Sequence, residues 1–185
     1  MYLIVGLGNP EPQYSMTRHN VGFDTINLLA EKYDIKVNKK DFEGLYGTGI
    51  IEGEKVVLLK PQTFMNESGK SIIKAMQFYK LEPKDIIVIY DDIDIDEAVV
   101  KIRAKGGAGT HNGMRSVIAE INSQDFPRIR IGTGKPIFKE LLLGYVIEKL
   151  NDEQYEKLKP AISKAENAVE EILKFGIDNA MNKIN

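Results

Sequence analysis

The chain has no cysteine. That excludes disulfides, thiolate metal sites and a cysteine nucleophile, and it suits a protein of the reducing cytoplasm. Histidine is nearly as scarce, with only His19 and His111 in 185 residues. Two histidines and scattered carboxylates make no metal-ligand pattern, so no metal is expected. No run approaches the roughly 18 apolar residues that span a bilayer. The first residues carry neither a basic n-region nor a long apolar h-region, so no signal peptide is expected and no membrane partner. Repeats, low-complexity tracts and interdomain linkers are also missing.

The remaining composition is that of one globular domain over residues 1–185. Hydrophobic residues make up 43% and charged residues 28%, both ordinary values. The net charge of −2 argues against indiscriminate nucleic-acid binding. Its distribution is uneven. Ala98 to Lys139 carries eight bases against Glu120 and Asp125, a net of +6, which leaves −8 for the rest. Such a segment is a candidate footprint for a polyanion.

Periodicity predicts alternating strands and helices. Tyr2–Val5, the VVLLK run ending at Lys60, and Asp85–Asp91 read as buried strands. Gly44–Lys60 reads as a hairpin turning at Gly53, and Ala98–Ala104 and Arg128–Gly132 as further strands. Helices are expected over Asn20–Asp34, from a cap at Asn66 or Ser68 to about Lys80, and over Gly113–Ile121. A long helix over Asn151–Phe175 should be interrupted or kinked at Pro160, with a short helix after Ile177. Lys105–Asn112 reads as a flexible glycine-rich loop, and Pro136–Gly144 as a surface segment without clear pattern. This is an α/β protein, a single three-layer α/β/α domain with a mixed sheet.

Met1–Asn20 concentrates the chemistry. A short strand breaks at Gly6, Gly8, Asn9 and Pro10 and leads to His19. GLG is a weak dinucleotide motif here, because Glu11 stands where GxGxxG needs its third glycine and two prolines oppose a helix start. His19, Asp91, Asn9, Asn66 and Asn112 all fall after predicted strands or at helix starts, positions that converge in an open α/β sheet. Histidine with a carboxylate makes a general base, and asparagine amides hold a substrate amide or a developing oxyanion. His111 reads only as a loop or helix-cap residue. Ser68 lacks a nucleophile elbow.

Four segments then carry a strong resemblance to the bacterial-type peptidyl-tRNA hydrolases: GLGNPEPQYSMTRHNVGF at Gly6–Phe23, KPQTFMNESG at Lys60–Gly69, YDDIDI at Tyr90–Ile95 and KGGAGTHNGMRS at Lys105–Ser116. FPRIRIGTGKP and GYVIEKL extend it over nearly the whole chain. The resemblance implies hydrolysis of the ester joining a peptide to the 3′ ribose of tRNA after abortive translation. It implies no cofactor, a single α/β/α domain with a mixed twisted sheet, and a monomer. It implies His19 as base, Asp91 as its carboxylate, and Asn9 as the residue separating N-blocked from free aminoacyl-tRNA. Tyr14, Phe64, Asn66 and Asn112 fall on substrate-contact positions, and Lys101, Arg103 and Arg130 on positions facing tRNA phosphates. Glu11, Thr110, Asp96–Ala98, Tyr90 and Phe64 depart from the family pattern. The alternative is a non-catalytic RNA-binding module on the same fold.

Overall fold

A computed structural model describes all residues, 1–185. Seven strands form one sheet: β1 (Tyr2–Gly6), β2 (Lys39–Asp41), β3 (Gly44–Ile51), β4 (Glu54–Pro61), β5 (Ile86–Asp92), β6 (Val100–Arg103) and β7 (Arg128–Gly132). Six helices surround it: α1 (Val21–Lys32), α2 (Ser68–Tyr79), α3 (Asn112–Ile121), α4 (Leu142–Ile147), α5 (Asp152–Phe175) and α6 (Ile177–Ile184). The strand order is β2-β3-β4-β1-β5-β7-β6. β4, β1, β5 and β7 are parallel, while β2, β3 and β6 join antiparallel at the edges.

The pleat sorts the core into two layers. Ile4, Ile87 and Ile89 face α1, α5 and α6, together with Val21, Ile26, Leu29, Val169 and Ile172. Leu3, Val5, Val88 and Tyr90 face α2 and α3, with Ile72, Met76, Met114 and Val117. The result is the three-layer α/β/α domain with a mixed sheet.

β1 lies between β4 and β5. Chain order reverses there, and the loops leaving β1 and β5 open a crevice at their carboxyl ends. The glycines of GLG let α1 cross close above. A Cβ on Gly6 would meet the Gly22 carbonyl oxygen at 2.1 Å, and one on Gly8 would meet the Phe23 ring at 2.6 Å. Their role is close packing.

Several local expectations change. Neither Asn66 nor Ser68 caps α2. A 3-10 turn over Met65–Glu67 leads into the helix, and the Ser68 hydroxyl bonds back to the Met65 carbonyl at 2.7 Å. α5 runs unbroken through Pro160, its start fixed by a capping box of Asn151 and Gln154. Its buried face, from Leu158 to Leu173, outweighs the one bond proline removes. The segment before Gly144 contains a 3-10 turn at Lys139–Leu141 and then α4. β2 is a charged, fully exposed edge of three residues with no apolar alternation to announce it.

Candidate active site

A 3-10 turn over Arg18–Asn20 presents His19 just before α1. Asp91 lies at the end of β5, its side chain 1% exposed. His19 Nδ1 is 2.7 Å from Asp91 Oδ2, and His111 Nε2 is 2.9 Å from Asp91 Oδ1. One carboxylate therefore serves two imidazoles.

The hydrogen bonds separate the two rings. His111 is the N-cap of α3, and its Nδ1 accepts from the Met114 amide at 3.2 Å. Its proton is therefore on Nε2, which donates to Asp91, and both ring nitrogens are occupied. His19 donates from Nδ1 and keeps the Nε2 lone pair free, the arrangement of a general base. The sequence expectation for His111 was half complete: it is a helix cap, and it also holds the catalytic carboxylate. Its scarcity and its place where the glycine loop enters α3 were the available signals.

Burial acts to lower the His19 pKa, but the charge and hydrogen bond of Asp91 outweigh it and hold it above the usual 6.5. Burial acts to raise the Asp91 carboxyl, yet both histidines hold it well below the usual carboxylate range. Asp91 stays ionised throughout neutral pH. The ligand atoms of His19, Asp91 and His111 lie within 4.8 Å of one another, so these are the residues that could hold a metal. Their bonding is that of a proton network, with each carboxylate oxygen facing one imidazole.

Asn9 is built in from the other side. Its amide donates to Asn20 Oδ1 at 2.8 Å, and its carbonyl accepts from Asn20 Nδ2 at 2.9 Å. Its Oδ1 accepts the Met65 amide at 3.0 Å. The Nδ2 donor is the group left for substrate. Met65 then closes the ring of contacts, since a Cβ on Gly113 would meet its sulfur at 2.6 Å.

A cleft of about 530 Å³ opens over the pair, lined by His19, Asp91 and Asn112, by the glycine loop, and by Leu142, Leu143 and Val146 of α4. Arg103, Arg128, Arg130 and Lys139 make its basic wall. β6 and β7 pair Lys101 with Arg130 and Arg103 with Arg128, so all four leave one face. Arg130 reaches Asp92 at 3.6 Å, and its Nε is buried without a partner. Arg128, 1% exposed, donates to the carbonyls of Phe126, Gly107 and Gln124. It fastens the glycine loop to β7, a role no sequence signal suggested.

Of the expected residues, His19, Asp91, Asn112, Arg103 and Arg130 line the cleft, and Asn9 joins it through Asn20. Lys101, Asn66 and Tyr14 lie outside the lining. Asn66 is exposed on the Met65–Glu67 turn, and Tyr14 ends a 3-10 turn over Pro12–Tyr14. Phe64 borders a second pocket.

Comparison with known proteins decides the family. The model of the family described as "Peptidyl-tRNA hydrolase" matches residues 3–185. The chain belongs to the peptidyl-tRNA hydrolase family. The peptidyl-tRNA hydrolase of Alkaliphilus metalliredigens is 53% identical to it, with full coverage of both chains. That of Clostridium acetobutylicum is 48% identical over 100% of this chain and 98% of the relative. The crystal structure of peptidyl-tRNA hydrolase from Acinetobacter baumannii superposes with a TM-score of 0.93 at 40% identity, covering 100% of this chain and 94% of the other. Departures from the peptidyl-tRNA hydrolase pattern at Glu11 and Phe64 sit together on the wall of the second pocket.

Proposed function

We propose that the protein hydrolyses the ester between a peptide, or an N-blocked amino acid, and the 3′ ribose of tRNA. The observation that carries this reading is the free Nε2 of His19, on a ring fixed by buried Asp91 at the floor of a basic-walled cleft.

His19 Nε2 takes a proton from water as the water oxygen attacks the ester carbonyl. The carbonyl becomes a tetrahedral oxyanion, towards which the Asn66 and Asn112 amides are the candidate donors. The carbon–oxygen bond then breaks, and the ribose 3′ oxygen recovers the proton from the imidazolium. Asp91 steadies that imidazolium and stays ionised. Asn9 Nδ2 donates to the first peptide unit and so reads whether the amine is blocked. Arg103 and Arg130, with Lys101 beside them, hold phosphates of the acceptor arm. Tyr14 and Phe64 flank the peptide end.

This step requires no metal or cofactor. All the named groups come from one chain, which supports action as a monomer. The lack of cysteine supports a cytoplasmic setting. The test is deacylation of N-acetylaminoacyl-tRNA beside free aminoacyl-tRNA. Rapid release of the blocked amino acid alone is expected. Tight tRNA binding with no release would establish the RNA-binding module instead.

A further inference from the structure

The cleft accounts for the tRNA side of the ester. A second pocket, of about 470 Å³, lies among the residues flanking Asn9 and Met65, and Glu11, Glu43, Glu67, Thr63 and Phe64 are on its wall. Glu11 immediately follows Asn9 and Pro10, and Phe64 precedes the Met65 amide bonded to Asn9. Asn9 thus connects the catalytic turn to this pocket. A peptide leaving the ester past Asn9 runs onto it.

The pocket's chemistry is opposite to that of the cleft. Three carboxylates face it. Glu43 is 2.8 Å from Lys74 and Glu67 is 2.7 Å from Lys70, both pairs about half exposed, while Glu11 makes no ion pair. Exposed pairs of this kind hold their partners weakly, so the lysines yield to a competing cation. A separate observation points to a ligand. Thr63 is 9% exposed, and its hydroxyl is buried with no hydrogen-bond partner. Such orphan groups are uncommon and call for an explanation. The Phe64 ring is 60% exposed and offers an apolar, cation-attracting face. A lysine or arginine side chain satisfies all three features, with its stem on the ring, donors for the hydroxyl and charge for the glutamates.

We propose that this pocket is a subsite for a cationic side chain of the peptide, near the ester-linked residue, with Glu11 as its principal anionic group. The proposal rests on the hydrolase reading. The experiment compares N-acetyl dipeptidyl-tRNAs carrying lysine, norleucine or glutamate at the first or second position from the ester. The wild-type ratio of kcat/KM for lysine over norleucine should be about threefold or more at low salt, the scale of one exposed charge contact, and glutamate should be the poorest. Glu11→Gln should bring the ratio towards one, and Glu67→Gln should reduce it. Using a ratio cancels any general effect of the substitutions on turnover. Titration with acetyl-lysyl-alaninamide and its norleucine counterpart, read from the Thr63 and Phe64 amide resonances, measures the preference without turnover. Absence of deacylation with clear lysine-dependent shifts would remove the hydrolase reading and keep the subsite. Equal behaviour of the three side chains, or a lysine preference unchanged in both variants, would overturn the subsite.

Discussion

His19 and His111 contact the same carboxylate, but only His19 has a nitrogen to spare. His111→Ala should therefore lower kcat less than His19→Ala, because it frees one oxygen of Asp91 without removing the base. A His111→Ala loss as large as that of His19→Ala, in a folded protein, would mean that His111 itself transfers a proton. The pH dependence has a definite sign. A general base must be neutral, and Asp91 raises the His19 pKa. kcat/KM should then fall as pH drops through a value above 6.5. Asp91→Asn removes the raising charge, so the acid limb should move to lower pH while the maximum also falls. An unmoved limb in a pH–rate profile of Asp91→Asn would separate the titrating group from Asp91. Asn9→Asp keeps the Oδ1 acceptor for the Met65 amide and deletes the Nδ2 donor. It should reduce the preference for N-acetylated over free aminoacyl-tRNA, measured as the ratio of the two kcat/KM values.

Among the elements, those with strong periodicity were legible in the sequence. β1, β4, β5, α1 and α3 follow apolar patterns, and their ends bring Asn9, Asp91, His19 and Asn112 towards one crevice. β2 and α4 were not legible, because β2 is three charged residues and α4 a short turn whose exposed leucines obey no period. What positions α4 is tertiary. Arg18, buried beside His19, lies 3.6 Å from the Tyr145 ring centroid and donates to the Tyr145 carbonyl at 2.9 Å and to Glu148 at 2.6 Å. Tyr145 in turn donates its hydroxyl to the Thr133 carbonyl at 2.6 Å. No spacing rule reports a contact across more than a hundred residues. The GLG motif was legible as special but not in its purpose, since a missing Cβ is informative only once α1 is seen above it. Gly22→Ala would place a Cβ 2.5 Å from the Ile89 carbonyl oxygen and 2.6 Å from the Leu7 amide. It should destabilise the fold by about 1–3 kcal/mol, visible as a lower Tm. An unchanged Tm would mean that α1 can lift off β1 without cost.

For the whole molecule, charge is separated in space as well as along the chain. The +6 segment supplies the strands and loop of the cleft, and no helix is long and apolar enough to cross a membrane. Affinity for tRNA should fall with salt, and Arg103→Ala should reduce the log–log slope by roughly 0.7–0.9, one phosphate contact. A slope equal to that of the unsubstituted protein would place Arg103 away from phosphate. The central claim is that His19, held by Asp91, activates the water that cleaves the ester. The most direct measurement is single-turnover deacylation of N-acetylaminoacyl-tRNA by His19→Ala, with tRNA affinity determined in the same preparation. The account predicts retained tRNA binding and a loss of about 10²–10⁴-fold in the cleavage rate. A folded His19→Ala protein that binds tRNA and cleaves at close to the normal rate would contradict it.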